Sequence, residues 1–579
     1  MIKLFKRFKP MDWLLVVILI GFVVSQVYFD ITLPDYTSKI YSAMIQGSTT
    51  GDILSIGGDM LLVVLGSVVS SIIVSYIATH IAVKFSTRLR RSVFSKVQSF
   101  SFEENHLFST GSLLTRSTND IRQVQMAIMM ILRMAISAPI TAVWAILKIS
   151  ASSSALTIAS AAWIILLIAS LITIFSIVLP KFKMIQKLTD KLNNVTRENL
   201  SGLRVVKAYN AEQFQEEKFQ DVNNDITKVH LFTNRIMGLM SPLMMVVMNG
   251  ITLTIYWLGA TLINNPASSL DYPTMMAFSM LAMQVLMAFM MLTMLFIMIP
   301  RASVSANRIN ELLATQSKIN DPINPVTDFN STGTVEFKNV SFKYPDAEDY
   351  VLKNISFKAN KGQTVAFIGS TGSGKSTLIN LVPRFFDVTE GEILVDGVNV
   401  KNMKQSDLRS KIGYVPQKGV LFSGSIKDNI GYGKNDLSME KIIEAAKVSM
   451  SENFINEKTD TYDSEVAQGG KNVSGGQRQR LSIARAVAID PEIFIFDDSF
   501  SALDYKTDKQ VRKNLKSYTK NATSLIVAQR IGTILDADTI VVLEEGIIVG
   551  IGSHEHLLHT CNVYKEIALS QLSAKELSL

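Results

Sequence analysis

An all-α domain of six membrane-crossing helices, fused to an α/β domain with a helical subdomain, is the fold class that this 579-residue sequence predicts. Three observations predict it. Apolar residues make up 48% of the chain and charged residues only 18%, and the apolar runs before residue 315 are long enough to cross a bilayer. A glycine-rich loop, Gly369-Ser370-Thr371-Gly372-Ser373-Gly374-Lys375-Ser376-Thr377, follows an apolar run and precedes a helical one. Between the halves, Thr315 to Gly333 is rich in Asn, Asp, Ser and Pro and has no apolar period. The expected boundaries are 1–315 for the membrane domain with its helical extensions, 316–333 for a linker and 334–579 for the α/β domain.

The six spans are expected at 13–33, 54–83, 126–151, 155–180, 236–263 and 273–300. The N-terminus and the segments 84–122 and 181–235 are rich in Lys and Arg, whereas 264–272 has neither and 34–53 has only Lys39. Positive residues stay on the cytoplasmic side, so both termini of a multi-pass membrane protein are expected there. The same flanking charges account for the net charge of +7, and no nucleic-acid partner is expected. Phe85 to Phe100 and Lys181 to Leu200 keep helical spacing without proline, which predicts helices continuing past the bilayer. Ser117 to Asp120 and Tyr209 to Glu212 carry capping residues suited to short transverse helices where these extensions reverse. One cysteine, Cys561, excludes a disulfide framework and a cysteine-based metal centre. No cleavable signal is expected from the basic stretch Met1 to Pro10.

In the second half, 334–345 and 350–358 read as strands, and Gln363 to Ile368 as a buried strand feeding the glycine-rich loop. Strand, loop and helix in that order are the context a phosphate-binding loop requires. Backbone N–H groups of Thr371, Gly372, Ser373 and Gly374 would face a β-phosphate, Lys375 would neutralise it, and Ser376, beside Thr377, would reach Mg²⁺. Ile493 to Asp497 is an apolar strand ending in a carboxylate, placed to hold the same Mg²⁺ through water. ATP with Mg²⁺ is therefore the expected ligand.

With these motifs in order, the chain resembles the ATP-binding-cassette (ABC) exporters, of the half-transporter kind with one membrane domain (the type I or type IV exporter fold) and one nucleotide-binding domain. The resemblance covers essentially the whole chain. It implies that Tyr344 stacks on adenine and that Gln417 meets Mg²⁺ or the γ-phosphate. It also implies that the signature Ser474-Gly475-Gly476-Gln477 contacts ATP held by an opposite subunit, with Ser501-Ala502-Leu503-Asp504 as the loop after the Walker B strand. A chain with one signature must then dimerise.

Two positions depart from the family pattern. The residue after the Walker B aspartate, a glutamate that polarises the attacking water, is Asp498 here, one methylene shorter. The switch histidine is Gln529, which donates a hydrogen bond but carries no positive charge and relays no proton. The segment before the signature, Glu-Arg-Gly in the family, reads Gln468-Gly469-Gly470. The resemblance narrows to heterodimeric multidrug exporters of the EfrCD or LmrCD type from Gram-positive bacteria. It implies a partner half-transporter with the Glu and His in place and an altered signature. The site built on this chain's own phosphate loop is expected to bind ATP and hydrolyse it poorly.

Nine methionines fall between Met275 and Met298 and five between Met237 and Met248. With Gln26, Asp30, Asp35, Asn249 and Gln284, expected to face a cavity, they suit hydrophobic or amphipathic small molecules. Lipid or peptide export, and a nucleotide-gated regulator or channel, are the alternatives.

Overall fold

The computed structural model describes residues 2–264, 270–327, 332–345, 347–434, 436–573 and 577. Residues 265–269 of the expected 264–272 loop and 328–331 of the expected linker lie outside the described residues. The chain divides into two compact units, one of residues 1–96 with 111–314, the other of 97–110 with 315–579.

Among the described residues, the first unit has six helices long and apolar enough to cross a membrane: Pro10–Ile45, Thr50–Gln98, Thr110–Ala151, Ser154–Ser201, Glu212–Ile263 and Tyr272–Ala314. Thr50–Gln98 has 49 residues, which at helical rise is about 74 Å, against roughly 30 Å of hydrocarbon core. The extensions foreseen by periodicity are thus continuous with the spans. Close approach of neighbours rests in part on Gly250, where a Cβ would sit 2.4 Å from the Trp163 ring. That indole donates to Thr254 Oγ1 at 3.1 Å, so one tryptophan fits its neighbour both by shape and by hydrogen bond.

Three of the five polar residues expected to face a cavity also link helices. Asp30 accepts from Ser67 Oγ at 2.5 Å, Gln284 Nε2 donates to the Asp30 carbonyl at 2.8 Å, and Asp35 pairs with Lys148. In an apolar medium an unmet carboxylate is costly, so adjacent helices supply partners.

The reversals also differ from expectation. The first short helix is Phe102–Leu107, capped by Ser101, whose hydroxyl accepts from the Glu103 N–H at 3.2 Å while its own N–H donates to Glu104 at 2.8 Å. Ser-x-x-Glu is the stronger capping signal. Ser117 to Asp120 instead form a break in the returning helix, where Asp120 accepts from Ser305 Oγ at 2.7 Å. The second short helix, Leu203–Ala208, ends before Tyr209, and Asn210 turns the chain at φ +49°, a conformation asparagine tolerates well.

In the second unit the strands are β1 (Val335–Phe342), β2 (Leu352–Ala359), β3 (Thr364–Gly369), β4 (Glu390–Val395), β5 (Val398–Asn399), β6 (Ile412–Val415), β7 (Gly424–Ser425), β8 (Glu465–Val466), β9 (Ile493–Asp497), β10 (Thr523–Val527), β11 (Thr539–Glu544) and β12 (Ile547–Gly552). An antiparallel sheet runs β2-β1-β4-β5, and a second sheet runs β12-β11-β3-β10-β9-β6. In the second sheet β11, β3, β10, β9 and β6 are parallel. Parallel strands covered on both faces need continuous apolar runs, which Val365 to Ile368 and Ile493 to Phe496 provide. Helices between β6 and β9, including Met439–Val448 and Gly475–Ala488, gather around a separate core with Phe454, Ile483 and Val487.

Phe102 rests on Phe385 and Phe386 at centroid distances of 4.7 and 6.1 Å. Beside it, buried Glu104 accepts from Ser101 and from the Lys318 N–H at 3.0 Å. Burial raises its pKa, but these hydrogen bonds outweigh burial and hold it below the ordinary carboxylate value. Glu104→Ala should destabilise the second unit by about 1.5–3 kcal/mol near neutral pH, the scale of hydrogen bonds to a buried charge. A depressed folded pKa stabilises fully above the unfolded value and loses that contribution as pH falls through the folded one. Thermal melts of the two proteins should therefore converge on acidification through the carboxylate range.

Candidate functional site

β3 ends at Gly369, the chain curls through residues 370–374, and the helix Lys375–Leu381 begins. Gly374 takes φ +94°, and a Cβ there would lie 2.8 Å from Leu352 and 3.0 Å from the Val351 carbonyl. Glycine is required on both counts. The curl encloses a cavity of about 270 Å³ lined by Thr371, Gly372, Gly374, Lys375, Ser376 and Thr377, with Gln417, Asp498 and Gln529 closing it from the neighbouring strands. Ligand sites of open parallel sheets lie at the carboxyl ends of their strands. The same rule places Asp497 at the end of β9 and Gln529 just beyond β10.

Lys375 Nζ donates to the carbonyls of Gly369 at 2.9 Å and Ser370 at 2.7 Å, and to Ser373 Oγ at 3.3 Å. Burial pulls its pKa down, opposed by the charges of Asp498 and Asp497. Ser376 Oγ donates to Asp497 Oδ1 at 2.6 Å. Hydroxyl and carboxylate oxygens this close form a hard-oxygen pair of the kind magnesium prefers. The residues present thus fit an Mg²⁺–nucleotide at its phosphate end. Burial raises the pKa of both Asp497 and Asp498; the Ser376 bond opposes it at Asp497, and the Gln417 and Ser501 bonds oppose it at Asp498.

Asp498 is the hub of the second layer. Its Oδ2 accepts from Gln529 Nε2 at 2.9 Å and from Gln417 Nε2 at 3.3 Å. Its backbone has φ +46°, a region aspartate enters more readily than most side chains. The two residues that depart from the family pattern are therefore bonded to each other.

Tyr344 stands beside the cavity. Its hydroxyl lies 3.0 Å from Thr377 Oγ1, with either atom able to donate, and its ring packs edge-on against Phe342 and Phe386. Ser474 to Gln477 do not line the cavity. Ser474 caps the helix Gly475–Ala488 through a reciprocal bond pair with Gln477, leaving Ser474 and Gly475 exposed at its N-terminus.

One residue here left no sequence signal. Gln571, 42 positions after Gln529, donates to the Gln529 carbonyl at 2.9 Å and accepts from the Ile531 N–H at 2.8 Å. A single amide thus brackets the backbone of the switch position. Nothing in a lone glutamine after a terminal helix announces this; only the fold brings it there.

Residues 15–289 match the ABC transporter transmembrane region family, and residues 352–501 match the ABC transporter family. The chain is 38% identical over 548 residues to the uncharacterized ABC transporter ATP-binding protein MT1311 of Mycobacterium tuberculosis, covering 93% of each. It is 35% identical over 497 residues to the uncharacterized ABC transporter ATP-binding protein YfiB of Bacillus subtilis, covering 85% of each. This chain belongs to the ABC transporters. A solved bacterial Atm1-family ABC exporter with ATP bound superposes with a TM-score of 0.81 at 25% identity, over 96% of this chain and 98% of that one. The chain is an exporter-type half-transporter, with a helical membrane domain and an ATPase domain that drives transport across the bilayer.

Two measurements probe the site. Gln571→Leu removes both clamp bonds, about 1–2 kcal/mol together, so amide exchange at residues 528–534 should rise roughly five- to thirtyfold. A magnesium ion held by Asp497 would need that carboxylate ionised, and its folded pKa is raised by burial. Mg²⁺-dependent nucleotide binding, followed by calorimetry, should weaken as pH falls through that raised value, and Asp498→Asn, by removing a neighbouring negative charge, should move the transition to lower pH.

Proposed function

We propose that this chain is one half of a heterodimeric exporter and carries its impaired ATP site. The observation behind this reading is the bonding of Asp498 to Gln529 and Gln417. A carboxylate one methylene short is held by two amides, neither of which can accept and pass on a proton. The binding parts are complete by comparison. Backbone N–H groups of 371–374 and Lys375 would hold the β- and γ-phosphates, and Ser376, Asp497 and Gln417 would hold Mg²⁺. Bound Mg²⁺ would neutralise charge developing on the phosphate oxygens. Tyr344 would supply the adenine contact. The exposed N-terminus at Ser474 to Gln477 suits the γ-phosphate of ATP on the opposite subunit, so this chain would complete the partner's working site while its own retains nucleotide.

Hydrophobic or amphipathic molecules are the proposed cargo. Met280, Met287, Met291 and Met294 are exposed along Tyr272–Ala314 at spacings of seven, four and three, which place them on one helical face. Flexible, polarizable side chains in a row suit varied apolar ligands. The basic segments support cytoplasmic termini, and the bacterial relatives support a plasma-membrane location.

The purified chain alone should hydrolyse ATP slowly. Asp498→Glu with Gln529→His should raise turnover by about 10²-fold or more, the usual contribution of a positioned base and its partner. Rapid, Lys375-dependent turnover by the unaltered chain alone would defeat the reading.

A further inference from the structure

On the reverse face of the same sheet lies a second cavity, of about 680 Å³, whose lining shares no residue with the nucleotide cavity. Alternation along a strand explains the separation. Val527 lines the nucleotide side while Ser524 and Ile526 line this one, and Phe496 does so one residue before Asp497. The opening falls between two apolar clusters on this face. One contains Phe496, Phe500 and Leu515, the other Ala366, Ile531 and Ile534.

The floor holds polar groups without partners. Ser524 and Thr364 pair across adjacent parallel strands, both line the cavity, and neither hydroxyl makes a hydrogen bond among the described residues. Ser524 is only 3% exposed. A hydroxyl on a nearly buried residue that lines the cavity is free to bond an occupant there.

The rim is strongly cationic. Lys509, Lys513, Lys516 and Lys520 line it, spaced four, three and four along and just past the helix Tyr505–Tyr518, which sets them in one row. None makes a salt bridge or side-chain hydrogen bond among the described residues. Arg512 completes the set but is engaged by Asp508 at 3.0 and 3.1 Å. The one carboxylate in the lining is Asp536.

We propose that this cavity is a second ligand site, taking a small phosphorylated molecule that carries a ring. The volume falls within the range of small-molecule sites. The phosphate lies along the lysine row, the ring lies against Phe500 and Leu535, and the Ser524 and Thr364 hydroxyls meet its polar edge. An occupant would press on the strands that end in Asp497 and lead to Gln529, from behind the nucleotide.

The test is calorimetric titration of the full chain in detergent with 1-naphthyl phosphate, at about 50 mM salt to limit screening. Inorganic phosphate and 1-naphthol serve as comparisons, each lacking one half of the pharmacophore. Saturable binding is expected for naphthyl phosphate, and at least about tenfold weaker binding for each half alone. A similar loss is expected in Lys509→Ala/Lys513→Ala/Lys516→Ala, whose exposed positions leave the fold intact, and in Leu535→Trp, which fills the mouth. Lys375→Ala should leave binding unchanged. The proposal fails if the triple variant binds as tightly, if Lys375→Ala abolishes binding, or if naphthol binds equally well. It also fails if naphthyl phosphate shows no saturable binding, whether or not an oligonucleotide or acidic peptide binds the lysine row, or if inorganic phosphate binds equally well.

Discussion

Two adjacent carboxylates and one lysine are buried together at the carboxyl end of a parallel sheet, and the nucleotide-binding unit is arranged to tolerate them. Asp497 and Asp498 repel each other and lose hydration. Lys375 loses hydration too, yet keeps three oxygens of its own loop as partners. Such a cluster is affordable only where the backbone already supplies dipoles, which the curl of residues 370–374 does. The apolar strands beneath it form the rigid floor that keeps these charges from relaxing away from one another.

The same cluster bears on the two unusual residues, which are bonded to each other. A histidine opposite Asp498 would bring a titrating charge to a site that already holds three. Gln529 instead offers a neutral amide, donating to the carboxylate at 2.9 Å without altering the local charge. Gln417 does likewise. The result is a second layer in which two neutral amides donate to one carboxylate.

Much of the architecture was legible because its signals are local. Six apolar runs, the 3.6-residue period of the extensions and the strand–loop–helix order at 363–381 each follow from neighbouring residues. The phosphate-loop cavity was legible for the same reason, since Thr371 to Thr377 are consecutive. What escaped was non-local. Gln571 reaches Gln529 through tertiary folding alone, and Asp30, Asp35 and Gln284 find their partners (Ser67, Lys148 and the Asp30 carbonyl) on other helices. The short helix falls at Phe102–Leu107 rather than at Ser117–Asp120: both stretches carry capping residues, and only Ser101 has a glutamate three positions on to reciprocate.

The excursion 97–110 also makes the second unit discontinuous along the chain. Lys318 N–H and Ser317 Oγ look to Glu104 for an acceptor, and Phe385 looks to Phe102 for cover. A fragment severed at residue 316 would contain every nucleotide motif and still lack a piece of its own surface. It would begin with an orphaned donor and an uncovered ring. The excursion is therefore a part of the second unit without which that unit is incomplete.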